Sequence, residues 1–201
     1  MRFDKNIFDG LLERYGLTGH VEGGMFKEIF RSARIVTVDK KRYQETPNYS
    51  EGTRSEYTTI YFALPPGDFS AFHRVKSDER WNYCYGSSAT IHMINPETGE
   101  LTSKTIGMPP EGTSIINVPR DTWFAVEPTV GGGIIATCDV APGFEYQDFE
   151  LADRAMLVNA YPKHSALINR LTRVVAPTAQ ASSAVADTAP QGNASFFSPG
   201  L

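Results

Sequence analysis

The chain has 201 residues, a length that suits one globular domain with appendages. Hydrophobic residues make up 41% of the sequence and charged residues 21%, and both shares are close to those of ordinary globular proteins. The net charge of −4 argues against a nucleic-acid-binding protein, and no apolar run has the ~20 residues that a membrane span needs.

The cysteine content and the amino-terminal residues indicate the compartment. The chain has two cysteines, Cys84 and Cys138, which are too few for a disulfide scaffold. The first ten residues lack the apolar core of a secretory signal. We therefore expect a cytoplasmic protein.

The first predicted element is a helix over residues 3–15, where apolar residues recur at helical spacing. Asp4 is its expected N-cap and Gly16 its expected C-cap. A turn over residues 19–24 then leads to a strand-like run over 25–31. The alternation in this run is imperfect, so the pattern leaves open which face is buried.

The central part of the chain predicts an all-β fold. Residues 39–54 are polar and predict a loop, after which short apolar runs alternate with Gly and Pro turn signals. This spacing favours a sandwich or barrel over a parallel βαβ sheet. The predicted strands are 57–64, 69–75, 79–85, 89–95, 101–107, 113–118, 122–127 and 134–140.

The carboxy-terminal part predicts two short helical pieces within residues 150–172. The segment from Ala176 onward is rich in Ala, Ser, Pro and Gly and predicts a disordered tail. The predicted organisation is a helix and turn over 1–24, a β-barrel over 25–150, a helical segment over 151–175 and a tail over 176–201.

One stretch combines His73 and Glu79 at a specific spacing, between Gly67 and Gly86. Residues two apart on a strand share a face, so His73 and Val75 are expected to point into the same interior. Glu79 follows a tight turn and is expected to return beside them on the next strand.

This stretch resembles the first motif of the cupin superfamily, G-x5-H-x-H-x3-E-x6-G, with Val75 in place of the second histidine. The second motif, G-x5-P-x-G-x2-H, is degenerate: Asp121 replaces its glycine and Phe124 its histidine. Two of the four metal ligands implied by the family are therefore apolar, and His73 and Glu79 alone would hold a metal weakly. We expect no cofactor, and a divalent metal at His73 and Glu79 is the alternative.

A longer part of the chain, over about residues 10–155, is similar to the poorly characterised cupin superfamily 5 branch. Val75 and Phe124 are typical of that branch. The resemblance implies a cupin jelly-roll barrel, with an N-terminal helix and short C-terminal helices here, that forms a homodimer and holds its pocket inside the barrel. The matching segments are 20–24, 28–32, 59–62, 69–75, 77–79, Trp81, Tyr83, 119, 123–124, 141–146 and 148–149.

Three residues are candidates for proton transfer. His73 is the candidate general base, because structurally similar cupins include metal-independent sugar-nucleotide epimerases that use a barrel histidine in this way. Glu79 is its expected orienting partner, since a carboxylate fixes the imidazole tautomer and raises its basicity. Tyr83 is the candidate acid. A satisfied core histidine and a salt-bridged carboxylate are the alternatives, and His20 is interpreted as a turn residue.

Further residues are candidates for ligand binding. Trp81, Tyr83 and Tyr85 share the parity of Glu79 and predict an aromatic face that suits a sugar or a planar ring, with ordinary core packing as the alternative. The odd spacing of Glu28 and Arg31 predicts that they lie on opposite faces. The candidate ligand-binding residues are Glu22, Glu28, Arg31, Phe72, Trp81, Trp123, Phe124 and Phe144.

Arg31 has two interpretations. If it points inward, it anchors an anion or a carboxylate. Otherwise it forms an ion pair in a dimer interface, for which residues 25–36 are the candidate segment.

Three functions stay open on the sequence, which does not decide whether the chain is an enzyme. The favoured one is a metal-independent isomerase, epimerase or lyase that acts on a small polar or sugar-like molecule. The second is a non-catalytic protein that binds a ligand for sensing or storage. The third is a metal-dependent cupin enzyme with atypical ligands. In each case the partner is a small molecule, with no nucleic acid and no membrane.

Overall fold

The structure is a computed structural model that describes residues 3–38 and 52–173. Within these ranges the chain is mostly β, and the long strands pair antiparallel. The predicted tail over 176–201 and most of the predicted loop over 39–54 lie outside the described residues.

The first helix, α1 (Lys5–Tyr15), has the predicted caps. The carboxylate of Asp4 accepts two backbone N–H groups of the first turn, and Gly16 ends the helix with a φ of 64°, which glycine adopts without a steric cost. Phe8 is fully buried and packs with Ala63 and Ile135, so α1 covers the outer face of a sheet.

The strands follow the predicted runs closely from Thr58 onward. Four short strands, over Thr18–Gly19, Ile35–Thr37, Thr53–Ser55 and Phe149–Leu151, were not predicted, and Thr53–Ser55 corrects the end of the predicted loop. Each of them is a strand because it pairs with another segment, rather than because of any local alternation. The strands are β1 (Thr18–Gly19), β2 (Met25–Arg31), β3 (Ile35–Thr37), β4 (Thr53–Ser55), β5 (Thr58–Leu64), β6 (Ser70–Val75), β7 (Asp78–Gly86), β8 (Ala89–Ile94), β9 (Leu101–Ile106), β10 (Ile115–Val118), β11 (Trp123–Pro128), β12 (Ile134–Ala141) and β13 (Phe149–Leu151).

Two larger sheets enclose the core. One has the order β1-β2-β5-β12-β7-β10 and the other the order β13-β6-β11-β8-β9, while β3 and β4 form a small separate pair. Strands of both sheets contribute to one buried apolar cluster that includes Phe62, Trp81, Ile91 and Phe124. The chain crosses from the five-stranded to the six-stranded sheet between β6 and β7, which places successive strands on facing walls.

The C-terminal helices cover the outer face of the five-stranded sheet. They are α2 (Arg154–Ala160) and α3 (Ser165–Arg170), joined by a short 3-10 turn. Leu157 and Ile168 are buried in a cluster with side chains of β6 and β11. No helix among the described residues is long and apolar enough to cross a bilayer.

Three strand pairings have a register shift, and two of these change which face the candidate residues share. The pairing of β2 with β5 shifts between Glu28 and Phe30, and the pairing of β7 with β12 shifts so that Tyr83 and Tyr85 oppose consecutive residues. An extra residue in one strand reverses the parity of everything beyond it. Tyr85 accordingly packs under α1, away from the core cluster that Tyr83 joins, and this corrects the predicted shared face.

Asp121 replaces the glycine of the second motif, and its backbone conformation explains how the turn forms without that glycine. Asp121 has a φ of 60°, the only positive φ of a non-glycine residue among the described residues. Aspartate tolerates this left-handed conformation better than most residues because its short side chain bonds locally. The turn before β11 is therefore built without the glycine.

Candidate active site

A cavity of about 110 Å³ lies between the two sheets. About half of its lining residues are apolar or aromatic, and ionisable groups lie at both the inner and the outer end, a composition typical of a small-molecule site. The lining residues are His20, Glu22, Phe26, Glu28, Arg31, Thr58, Ile60, Phe62, His73, Val75, Glu79, Trp81, Cys138, Val140, Phe144, Glu145, Tyr146 and Phe149.

His73 lies on β6 and is 2% exposed, with an oxygen facing each ring nitrogen. Its Nδ1 lies 2.8 Å from the carbonyl oxygen of Ala71, and its Nε2 lies 3.3 Å from Oε2 of Glu22. A carbonyl oxygen only accepts, so we assign the hydrogen of the neutral ring to Nδ1. Nε2 is then the position that takes or releases a proton, next to the Glu22 carboxylate.

Glu22 is the carboxylate partner of His73, and it belongs to the turn before β2. Its backbone carbonyl accepts from the N–H of Ala71 at 2.9 Å, and Ser70 Oγ donates to its Oε1 at 2.9 Å, so the turn is fixed to β6. Nδ1 of His20 lies 3.3 Å from Oε2 of the same carboxylate. This corrects the expectation that Glu79 orients His73.

Burial and charge act in opposite directions on this pair. Burial alone would raise the pKa of Glu22, but the charge of His73, the adjacent imidazole of His20 and a hydrogen bond from Ser70 outweigh it and lower the pKa. Burial lowers the pKa of His73, and the Glu22 charge offsets part of that change. Both shifts act in the same direction, so at neutral pH His73 is neutral and Glu22 is ionised.

Glu79 lies on β7, on the opposite wall from His73. It is 7% exposed, and its burial together with the nearby charge of Glu22 raises its pKa from 4.5 to about 8. The Cys138 thiol and the Trp81 indole N–H favour the ionised form of Glu79 and limit the rise of its pKa. The indole N–H has no other hydrogen-bond partner among the described residues. At neutral pH Glu79 is therefore a protonated acid that faces a neutral His73 imidazole and an ionised Glu22 carboxylate, a division typical of acid and base roles.

The raised pKa of Glu79 predicts a pH-dependent stability. Because the folded state holds this proton up to about pH 8 while the unfolded chain releases it near 4.5, stability falls as the pH rises between these values. The slope is about 1.4 kcal/mol per pH unit, so Glu79→Gln should gain roughly 3 kcal/mol over the unsubstituted protein from pH 5 to 7. Urea unfolding at both pH values measures this difference.

Glu97→Gln is the matched control, because Glu97 is exposed in the turn after β8. It should leave the pH dependence of unfolding unchanged. A Glu79→Gln variant whose stability runs parallel to the unsubstituted protein from pH 5 to 7 would contradict a protonated Glu79.

The outer end of the cavity holds an ion-paired arginine. Arg31 donates from Nε and Nη2 to both carboxylate oxygens of Glu28, at 3.0 and 2.8 Å. Its Nη1 donates to Glu145 Oε1 at 2.8 Å, and its Nη2 also donates to the carbonyl oxygen of Phe144 at 3.1 Å. The bulge in β2 places Glu28 and Arg31 on the same side, which corrects the predicted opposite faces.

The segment that follows β12 covers one side of the cavity with Phe144, Tyr146 and Phe149. A buried ion pair fixes this segment: Arg54 of β4 donates from Nε and Nη2 to the two carboxylate oxygens of Asp148, at 2.6 and 2.8 Å. Both side chains are at most 3% exposed. The covering residues are thus held by a charge pair that belongs to the unpredicted strand β4.

Four predicted residues lie outside the cavity lining. Phe72 and Trp123 point to the other face of the five-stranded sheet and pack against the C-terminal helices, because their parity is opposite to that of His73. Phe124 is buried directly behind His73, with ring centroids 4.1 Å apart. Tyr83 donates to the carbonyl oxygen of Gly86 at 2.7 Å, at a separate surface depression, so it does not reach the His73 cavity.

Seven predicted residues do line the cavity, and several lining residues were missed. The motif segments over 20–24, 141–146 and 148–149 contain His20, Tyr146 and Phe149, but no local pattern indicated a chemical role for these residues. Cys138 was missed because its burial depends on the pairing of β12 with β7. Burial raises the pKa of Cys138, so its side chain stays a protonated thiol. The predicted residues in the lining are Glu22, Glu28, Arg31, His73, Glu79, Trp81 and Phe144.

The cavity does not present the donor set of a transition-metal site. The described residues contain no group of three or more His, Cys, Asp or Glu side chains arranged to hold a metal ion. His73 and Glu79 lie on facing walls, and Val75 and Phe124 occupy two positions where metal-binding cupins have ligands. The residues present therefore do not fit the metal implied by the wider superfamily.

Comparisons with known proteins identify related sequences and structures. A family model described as "Cupin superfamily (DUF985)" matches residues 9–152. Protein SO0799 from Shewanella oneidensis is 33% identical, with 86% of this chain and 99% of that chain covered and a TM-score of 0.71. A hypothetical protein from Leishmania major is 30% identical, with 82% and 97% covered and a TM-score of 0.70. No protein with a curated description matches the chain.

Proposed function

The chain belongs to the Cupin superfamily (DUF985) family, with its all-β cupin fold, and from this premise we propose that it is a metal-independent proton-transfer enzyme. It acts as an isomerase, epimerase or lyase on a small polar substrate inside the cavity. The observation that carries this proposal is the presence of two different protonation sites, His73 with Glu22 and Glu79, on facing walls of one buried cavity.

The two sites supply complementary steps. Nε2 of His73 takes the proton from a carbon next to a carbonyl group, and the neighbouring Glu22 carboxylate stabilises the imidazolium that forms. Glu79 gives its proton to the carbonyl oxygen, so an enediol or enol forms with no net change in charge in the cavity. Return of the proton to the other face or to the adjacent carbon gives an epimer or isomer. In a lyase reaction the β-substituent leaves with its bonding electrons and takes the proton from His73, while the enol O–H proton returns to Glu79 and the carbonyl group re-forms.

A solvent-exchange experiment tests the proposal whichever product forms, because each of these reactions begins with loss of a proton from carbon. The protein is incubated in D₂O with a panel of α-hydroxy aldehydes, α-hydroxy ketones and small sugars, and deuterium at the carbon is followed by NMR. We expect saturable incorporation into at least one compound above the buffer rate. Saturable binding with no incorporation would instead favour a non-catalytic binding protein and contradict the proposal.

The proposal includes a homodimer in the cytoplasm, with β2 at the interface. Beyond the two-residue pairing with β1, the outer edge of β2 has no partner strand among the described residues, and its Ile29 and Phe30 are 44% and 45% exposed. An unpaired edge with apolar side chains is an expected site of strand pairing between copies. Light scattering at micromolar concentration tests this, and a monomer would contradict it.

A further inference from the structure

The charged groups at the outer end of the cavity define what it admits. We call Arg31, Glu28 and Glu145 the Arg31 cluster. Their side chains are 36 to 42% exposed, whereas those of His73 and Glu22 are 2% and 6% exposed, so the cluster lies between solvent and the inner site.

Arg31 is not available to bind an anion. Four of the five N–H donors of a guanidinium are accounted for by the bonds to Glu28, Glu145 and the Phe144 carbonyl. Two carboxylates face one guanidinium, so the cluster carries a net charge of −1. Arg31 is also the only Lys or Arg in the described lining of the cavity.

The inner end adds one further negative charge, that of Glu22 beside His73. The carboxyl group of Glu79 on the opposite wall is protonated at neutral pH and adds none. A carboxylate or phosphate that enters would therefore meet like charges at both ends and no free cation. Like charges that face each other across a binding site disfavour the wrong partner.

The volume sets a second limit. An engineered protein cavity of about 150 Å³ takes one benzene molecule. By proportion, a cavity of about 110 Å³ admits a compound of roughly four or five non-hydrogen atoms. A hexose is far larger than this, and a nucleotide-linked sugar larger still.

We propose that this cavity selects an uncharged hydroxy-carbonyl compound of about four or five non-hydrogen atoms and rejects anions of the same size, with the Arg31 cluster as the specificity-determining group. The substrate class rests on the proposed function, because the reaction requires a carbonyl group. The charge selection does not depend on the reaction, because it rests on the Arg31 cluster together with Glu22 at the inner end. Glu28 and Glu145 act by holding Arg31 away from an incoming anion.

Glycolamide and glycolate form a matched pair for the test, because they have the same shape and differ by one negative charge. Binding of each to the full-length protein is measured by NMR titration of the protein amide signals. We expect glycolamide to bind at least about tenfold more tightly than glycolate. Equal binding of the two, or no saturable binding of either up to the solubility limit, would overturn the proposal.

The double variant Glu28→Gln/Glu145→Gln keeps the size of both side chains and frees Arg31. We expect its preference for glycolamide to fall by about tenfold or more, and the triple variant with Arg31→Met to lose glycolate binding again. An unchanged preference in the double variant would overturn the role of the cluster. Because these are binding measurements, retained selectivity without deuterium exchange would reject the proposed reaction and leave the charge selection intact.

Discussion

His73→Asn is expected to lower the rate of deuterium exchange by about 10²- to 10⁴-fold, which is the usual contribution of a positioned general base. Asparagine fills a similar volume and keeps a polar group near Ala71 and Glu22, but it cannot take a proton at the position of Nε2. Ligand binding should therefore persist while exchange is lost. Single-compound exchange rates and NMR titrations of the same variant measure the two effects separately.

His92→Asn provides the matched control for this substitution. His92 also contacts a carboxylate, with its Nε2 2.9 Å from Glu127 Oε1, but it lies outside the described lining of the cavity. The same replacement there should leave exchange unchanged. If His73→Asn retained exchange within a few fold of the unsubstituted protein, His73 would be a core residue and the proposed reaction would be rejected.

The proposed acid, Glu79, predicts how the rate of deuterium exchange depends on pH. Because the pKa of Glu79 is raised to about 8, the exchange rate should fall above that pH as the acid loses its proton. Glu79→Gln should react more slowly throughout and should lack this alkaline decrease. An alkaline decrease that survives the substitution would assign it to another group.

Arg54→Ala is expected to lower the free energy of unfolding by about 3–5 kcal/mol, because it leaves the Asp148 carboxylate buried and unpaired. The two side chains are 1% and 3% exposed and share two hydrogen bonds, so little water reaches them. The loss is large relative to the total stability of a single domain. Urea unfolding followed by circular dichroism measures it.

Arg34→Ala is the control for removal of an arginine, since Arg34 is 82% exposed and lies 3.7 Å from Glu56. Exposed pairs of this kind contribute about 0.2–1 kcal/mol or less. Replacing both buried partners, as Arg54→Met/Asp148→Leu, should recover much of the loss because no charge is then left alone. A cost of Arg54→Ala no larger than that of Arg34→Ala would contradict a stabilising buried pair.

The position of the Arg54–Asp148 pair also connects stability with the site. Asp148 ends the 3-10 turn that contains Tyr146, and Phe149 follows it, so the pair fixes two residues that cover the cavity. In the Arg54→Ala variant, the glycolamide preference should weaken together with stability. The Arg31 cluster depends on the same segment through Glu145.

The sequence alone determined the elements whose causes are local. The period of apolar residues specified α1 and the long strands, and Asp4 and Gly16 marked the helix ends because capping and left-handed backbone depend on neighbouring residues only. The spacing around His73 and Glu79 also indicated the family and an interior site, since strand parity sets which side chains point inward.

Only the tertiary structure decided how the site groups pair and titrate. The crossing between β6 and β7 put Glu79 on the wall opposite His73, and the packing of a distant turn against β6 made Glu22 the partner instead. The bulge in β2 joined Glu28 with Arg31. Strand order, bulges and burial arise from contacts between residues far apart in sequence, and burial determines a pKa, so no local pattern contains this information.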